Sequence, residues 1–336
     1  MYAMLSGKDY RLYEVKKENW QPIAAEETSP VIAFVDGGNA ELLKTPAANL
    51  HRIRTAVVFV ARNKLIRVRQ KEGYILVKAT VKQAEGQASS KVTYKAEFFD
   101  SDLDETSAGK NKAAEFNSWE LSTDENNSHA LNKAAESVRR LCEISAVRWA
   151  VKELAKNEGN AKKFVVTDGT LEAFFEKEKN EMAPLYAEAK ENDIAVGAVA
   201  KTCSLLTESG ESLIAAAEAI SNGQEGYAVI AKGLMEKHTA AVAIAKLNNS
   251  ALHFFRIEAT NSSELSKLVA ALKMQSNDLA FPGYPYGLIM ADRFARVSEH
   301  DTGLMKAKIR ATAGAEVKAL LKDEKALDAH SILDRM

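Results

Sequence analysis

Two aspartates in this chain close short apolar runs, and each is followed by glycine. Asp36 ends the run in VIAFVDGG (residues 31–38), and Asp168 ends the one in KFVVTDGT (residues 163–170). A strand buried on both faces returns to solvent at its end, and in open α/β sheets ligands gather beyond such carboxyl ends. Glycine after the aspartate removes a side chain and permits a sharp turn. On neighbouring strands two such carboxylates repel one another unless a cation separates them. Hard divalent ions, Mg²⁺ or Mn²⁺, suit all-oxygen ligands. Taken singly, either Asp-Gly is ordinary turn chemistry. The joint occurrence, each after a buried run, makes the case for a metal site.

A third carboxylate belongs to a long helical pattern that starts near Ser128 or His129 and stops at about Asn157. Glu143 has Ala146, Val147 and Ala150 as its i+3, i+4 and i+7 neighbours, a small apolar face suited to packing on a sheet. Glu136, two turns earlier on much the same face, competes for the role. An ion pair from Glu143 to Arg139 is the alternative, in the weaker orientation for a helix. Lys201 closes another apolar strand, IAVGAVAK (194–201), where its ammonium can meet a phosphate as a point charge or extend to solvent from a sheet edge.

The elements needed to position these groups read as a mixed sheet with helices on its faces. Residues 1–30 form a polar N-terminal arm. VIAFV opens the sheet, and RIRTAVVFVAR, KLIRVRQ and YILVKATVKQ follow as a meander, the last two alternating apolar and charged residues. Residues 100–128 are an acidic loop or insertion. The region after Asp168 reads as a helix over 170–192, broken before Pro184. YAVIAKGL and TAAVAIAKL suit strands, and ALHFFRIEA (251–259) is a strand. A helix over 262–276 takes Ser262 or Ser263 as its cap. The tail from 302 to 336 is helical and charged. With 45 Lys plus Arg against 46 Asp plus Glu, the whole chain makes no electrostatic case for nucleic acid, though a local basic groove is compatible. Two cysteines outside any CxxC pair and six histidines without HxH or HxxxH spacing argue against a disulfide framework or a zinc site. A reducing cytoplasm is the expected setting, and no apolar stretch is long enough to span a bilayer. No GxxxxGK[ST] occurs, so any motor activity must come from a partner.

In order along the chain, FVDGG, a helix carrying RRLCE, VVTDGTL, VGAVAKT and FPGYPYGLIMADRFARVS resemble the NurA nucleases, from about residue 31 to the C-terminus. The resemblance implies one ribonuclease-H-like domain over 31–336, an α/β mixed sheet flanked by helices with helical insertions. It implies a Mn²⁺- or Mg²⁺-dependent deoxyribonuclease, two ions at the site, a role in end resection during double-strand-break repair, a homodimer, and a hexameric HerA-type translocase as partner. Carried over by motif, Asp36 and Asp168 become the aspartate ligands, with Asp36 bridging, and Glu143 the helical glutamate. Lys201 matches the strand-end lysine. Tyr284, with Pro285, matches the late loop, where it orients a phosphate, stacks a base or anchors the loop by packing. Arg139 joins Tyr284 and Lys201 as a substrate-facing residue.

This chain departs from the family pattern twice. Asp292 stands where a metal-binding histidine is expected, which favours a harder ion and removes a group titrating near neutral pH. Gly38 stands where serine is usual. A basic stripe (Arg52, Arg54, Arg62, Lys64, Arg67, Arg69 and Lys71) suits either a DNA groove or a charged sheet face. Two rival readings remain open: a NurA-like subunit that guides DNA without cutting it, and an unrelated phosphotransferase using the same carboxylates.

Overall fold

The computed structural model describes residues 1–5, 10–25, 29–83, 90–100, 119–123, 128–157, 159–173, 176–235, 238–312, 318–319 and 321–322. Most of the acidic stretch at 100–128 and much of the C-terminal tail lie outside the described residues. The strands are β1 (Tyr10–Leu12), β2 (Val31–Lys44), β3 (Ala48–Ala61), β4 (Lys64–Gln83), β5 (Ser90–Asp100), β6 (Trp119–Thr123), β7 (Lys163–Asp168), β8 (Ile194–Ala200), β9 (Gly226–Met235), β10 (His238–Lys246) and β11 (Phe255–Ala259). The α-helices are α1 (Ser128–Ala155), α2 (Glu176–Glu191), α3 (Leu213–Ser221), α4 (Leu265–Met274), α5 (Tyr286–Ala295) and α6 (Glu299–Thr312). Among the described residues, no helix is long and apolar enough to cross a membrane.

The chain divides into two compact units. The first comprises Met1–Asp36, Ala56–Arg69 and Glu143–Phe294. Its strands run in the order β1-β9-β10-β11-β8-β7-β2, continuing into the adjoining parts of β3 and β4. At its centre β2, β7 and β8 are parallel, whereas β8, β11, β10, β9 and β1 pair antiparallel. The central strands are the most apolar because helices cover them: every residue of β8 and β11 is buried. β10 is alanine-rich, and Ala241, Ala243 and Ala245 join Phe34, Phe164, Phe255 and Leu268 in one continuous core. Helix α2 lies against β8 and β10, and α4 against β11.

The second unit comprises Gly37–Thr55, Gln70–Cys142 and the described residues from Ala295 on. Its strand order is β2-β3-β4-β5-β6, with β4, β5 and β6 antiparallel; the strands expected at 64–70 and 74–83 are one continuous strand, β4, and β6 lies inside the stretch expected as an acidic loop.

Several local expectations change. β2 does not stop at Asp36 but runs on to Lys44, because the glycine pair after it stays extended. A Cβ at position 38 would collide with the Ala295 carbonyl oxygen, so the serine expected there does not fit. Helix α2 passes through Pro184 unbroken, and the carbonyl deprived of its partner belongs to exposed Asn180. β11 begins only at Phe255, since the Asn248 side chain folds 248–250 into a turn by accepting from Ser250 N at 2.8 Å. The N-cap of α4 is Glu264, whose side chain makes no capping bond to the helix, and Ser263 instead donates to Asn261.

Candidate active site

All the residues that follow lie in the first unit unless stated. In the parallel pair of β2 and β7, Val35 is opposite Thr167, so Asp36 and Asp168 stand side by side one residue further on. β7 ends at Asp168, where Gly169 takes φ +97, a conformation that costs a side-chain-bearing residue but not glycine. On the next strand Val199 is opposite Asp168, and Lys201 follows two residues later. Helix α5 supplies Asp292. Its approach to β2 depends on Gly287, where a Cβ would strike the Phe34 ring.

These four groups converge. The Lys201 ammonium lies 2.8 Å from Asp168 Oδ2, 2.9 Å from Asp292 Oδ1 and 3.9 Å from Asp36 Oδ2. Asp36 is the most enclosed of the three aspartates, at 7% exposure. Burial alone would make Lys201 easier to deprotonate, but its bonds to Asp168 and Asp292 and the charge of Asp36 outweigh that and raise its pKa. Three carboxylates thus face one cation, leaving the cluster with surplus negative charge.

Tyr284 is 1% exposed, and its ring packs against Phe255 and Phe281 at centroid distances of 5.3 and 5.1 Å. That burial corrects the expectation of base stacking, since no ring face is open. Its hydroxyl instead donates to Asp168 Oδ1 at 3.2 Å. Burial, then the charges of Asp168 and Asp36, push its pKa upward, so the proton stays on the phenol.

Glu143 is 5% exposed on α1, whereas Glu136, in the second unit, is exposed. Arg139 also lies in the second unit, where Nη1 donates to the Gly37 carbonyl at 2.9 Å. The basic stripe is largely engaged within the protein. Arg52 and Arg54 share Glu72 in the second unit, while in the first Arg67 and Arg69 lie over the Trp149 ring and Arg67 pairs with Glu153.

The donor chemistry fits a hard divalent ion: carboxylate oxygens from β2, β7 and α5 already gather around one positive charge. Among the described residues no three His, Cys, Asp or Glu side chains stand close enough to enclose an ion as they are. The three aspartates are spaced for an ammonium, whose contacts are longer than the roughly 2.0–2.1 Å of Mg²⁺ to oxygen.

Sequence reasoning missed a second polar cluster. Arg256 and Glu258 are buried on β11, with Arg256 Nε 2.7 Å from Glu258 Oε1 and Arg256 Nη2 2.6 Å from Glu172 Oε1. The available signal was an Arg-x-Glu pair inside the otherwise apolar FFRIEA, two residues apart and hence on one face of the strand.

No family model matches the sequence, and no curated protein matches it. Among solved structures the chain is similar to the NurA nuclease from Sulfolobus solfataricus, with TM-score 0.53, 11% identity, and coverage of 89% of this chain and 90% of that one. The fold is that of NurA. At this identity the likeness establishes the ribonuclease-H-like mixed α/β architecture and nothing finer. Weaker likenesses, both at TM-score 0.41, reach Ciona intestinalis endonuclease V in complex with DNA (11% identity, covering 83% of this chain and 91% of that one) and human ENDOV (12%, 86% and 94%).

Proposed function

We propose that the protein is a divalent-metal-dependent nuclease that hydrolyses phosphodiester bonds in DNA. The observation that carries this reading is the meeting of Asp36, Asp168 and Asp292, from three different elements, around one cationic point. The NurA fold supports it. Asp36, Asp168 and Asp292 would hold Mn²⁺ or Mg²⁺, with Glu143 as the helical glutamate. When bound, such an ion makes water nucleophilic and stabilises the leaving alkoxide. Release from the aspartates frees the Lys201 ammonium to neutralise a phosphate oxygen. Tyr284 keeps its proton and fixes the orientation of Asp168 through Oδ1. Arg139 braces the Gly37 carbonyl, next in the chain to Asp36. Two ions, a homodimer, a HerA-type hexameric partner and a role in break repair are what the family resemblance adds to this reading.

A second reading has one observation in its favour. Lys201 already satisfies Asp168 and Asp292, and a lysine that never leaves would make the protein a DNA-guiding subunit that does not cut. Incubation of end-labelled single-stranded and duplex DNA with Mn²⁺ separates the two. The nuclease reading expects product from the wild type and none from Asp36→Ala. Equal product from both, or product from neither, contradicts it.

A further inference from the structure

We infer that Arg256 and Glu258 are positioning residues that hold the loop after Asp168 and so set the place of the Asp168 carboxylate. This rests on the nuclease reading of the acidic cluster. Across the sheet their cross-strand neighbours are apolar: Ala200 and Ala198 on β8, Ile244 and Val242 on β10. A charge pair in such surroundings costs more than an apolar pair of the same volume, so its retention calls for a reason beyond stability. The reason lies in where its outward bonds go. Glu258 Oε2 accepts from Leu171 N at 2.9 Å, and Arg256 Nη2 takes Glu172 Oε1. Both bonds reach the same loop, three and four residues beyond Asp168. The start of that loop is held separately, by Gly169 N donating to Val199 O at 3.0 Å. The segment from Gly169 to Glu172 is therefore pinned at both ends, once by backbone and once by the buried pair.

Two neighbours agree with a sealed, charged support at this place. Tyr10 on β1 is pushed up to about 12 by its burial and by the charges of Glu258 and Glu172. Cys203, two residues beyond Lys201, is raised by burial and lies within the influence of both Arg256 and Glu258. The pair thus stands next to the loops that follow both β7 and β8, the strands that deliver Asp168 and Lys201.

The test uses the full-length protein and two variants. Arg256→Met with Glu258→Leu replaces the pair by apolar groups of similar size, which spares the protein an uncompensated buried charge but removes the acceptor for Leu171 N. Glu258→Gln keeps an oxygen there. Amide exchange over 168–173 is expected to quicken about tenfold in the double variant, with the rest of the sheet unchanged. The kcat on DNA is expected to fall about a hundredfold at nearly constant KM, the signature of a misplaced reacting group. Glu258→Gln is expected to stay near wild type in both readouts. Unchanged exchange over 168–173, quickening spread over the whole sheet, or a Glu258→Gln variant as impaired as the double one each overturns the inference. A wild type that cuts no DNA defeats the nuclease reading instead, and the exchange measurement then still decides whether the pair holds the loop.

Discussion

Two charged clusters stand in the first unit, each a cation ringed by carboxylates, and they are put to opposite use. Around Lys201, three aspartates face one ammonium, and the lysine and Asp292 side chains remain about one-third accessible, at 35% and 32%. Around Arg256, two glutamates share one guanidinium, and the Arg256 and Glu258 side chains are sealed at 7% and 2%. The open cluster carries surplus negative charge that a further cation can relieve. The sealed one spends its hydrogen bonds on backbone and on its own partners. Exposure, more than the surplus of negative charge that both clusters carry, separates a place where an ion can arrive from a place that supports it.

The largest effect expected is on cleavage. Asp168→Asn removes a charge from the open cluster and should lower the rate on DNA about a thousandfold, measured as single-turnover cleavage with Mn²⁺. Lys201→Met removes the competing ammonium. Mn²⁺ should then bind about tenfold more tightly by calorimetry, while cleavage still falls for want of the phosphate-facing charge. Unaltered Mn²⁺ affinity would mean that the two clusters are less different than they look.

Stability should separate the clusters in the reverse sense. Glu258→Ala removes one of the two carboxylates that pair with the buried guanidinium, and with it the acceptor of Leu171 N, and should cost about 3–5 kcal/mol in denaturant unfolding. Asp292→Ala breaks a half-exposed contact and should cost less than about 1 kcal/mol. A control lies outside both clusters. In the second unit, burial and then the charge of Lys44 lower the pKa of His51 from 6.5 to about 4. A depressed histidine contributes stability above its unfolded pKa and loses it as pH falls through the folded value. The melting temperature should therefore decline from pH 6.5 towards 4, and His51→Gln should flatten that slope.

The open cluster was legible in the sequence because each member closes an apolar run or follows a motif: Asp36 and Asp168 before glycine, Lys201 after IAVGAVA, Asp292 in the helix after FPGYPYG. Local composition carries such signals. The continuation of β2 past Gly37 and Gly38 was not legible, because glycine pairs read as turns and only tertiary packing, here against the Ala295 backbone, keeps them extended. The sealed cluster was invisible for a related reason. Arg256 and Glu258 look like two stray charges until the sheet places β11 beside β8 and brings Leu171 within reach. Tyr284 was found by its motif, with packing among its expected roles, but its bond to Asp168 was not legible, since that contact exists only in the assembled core.

Diffraction at the manganese absorption edge, from crystals soaked in Mn²⁺, tests the central claim most directly. The account expects an anomalous peak between Asp36, Asp168 and Asp292, with the Lys201 ammonium moved away from all three. A saturating soak that leaves no peak there, with Lys201 still bonded to Asp168 and Asp292, would contradict it.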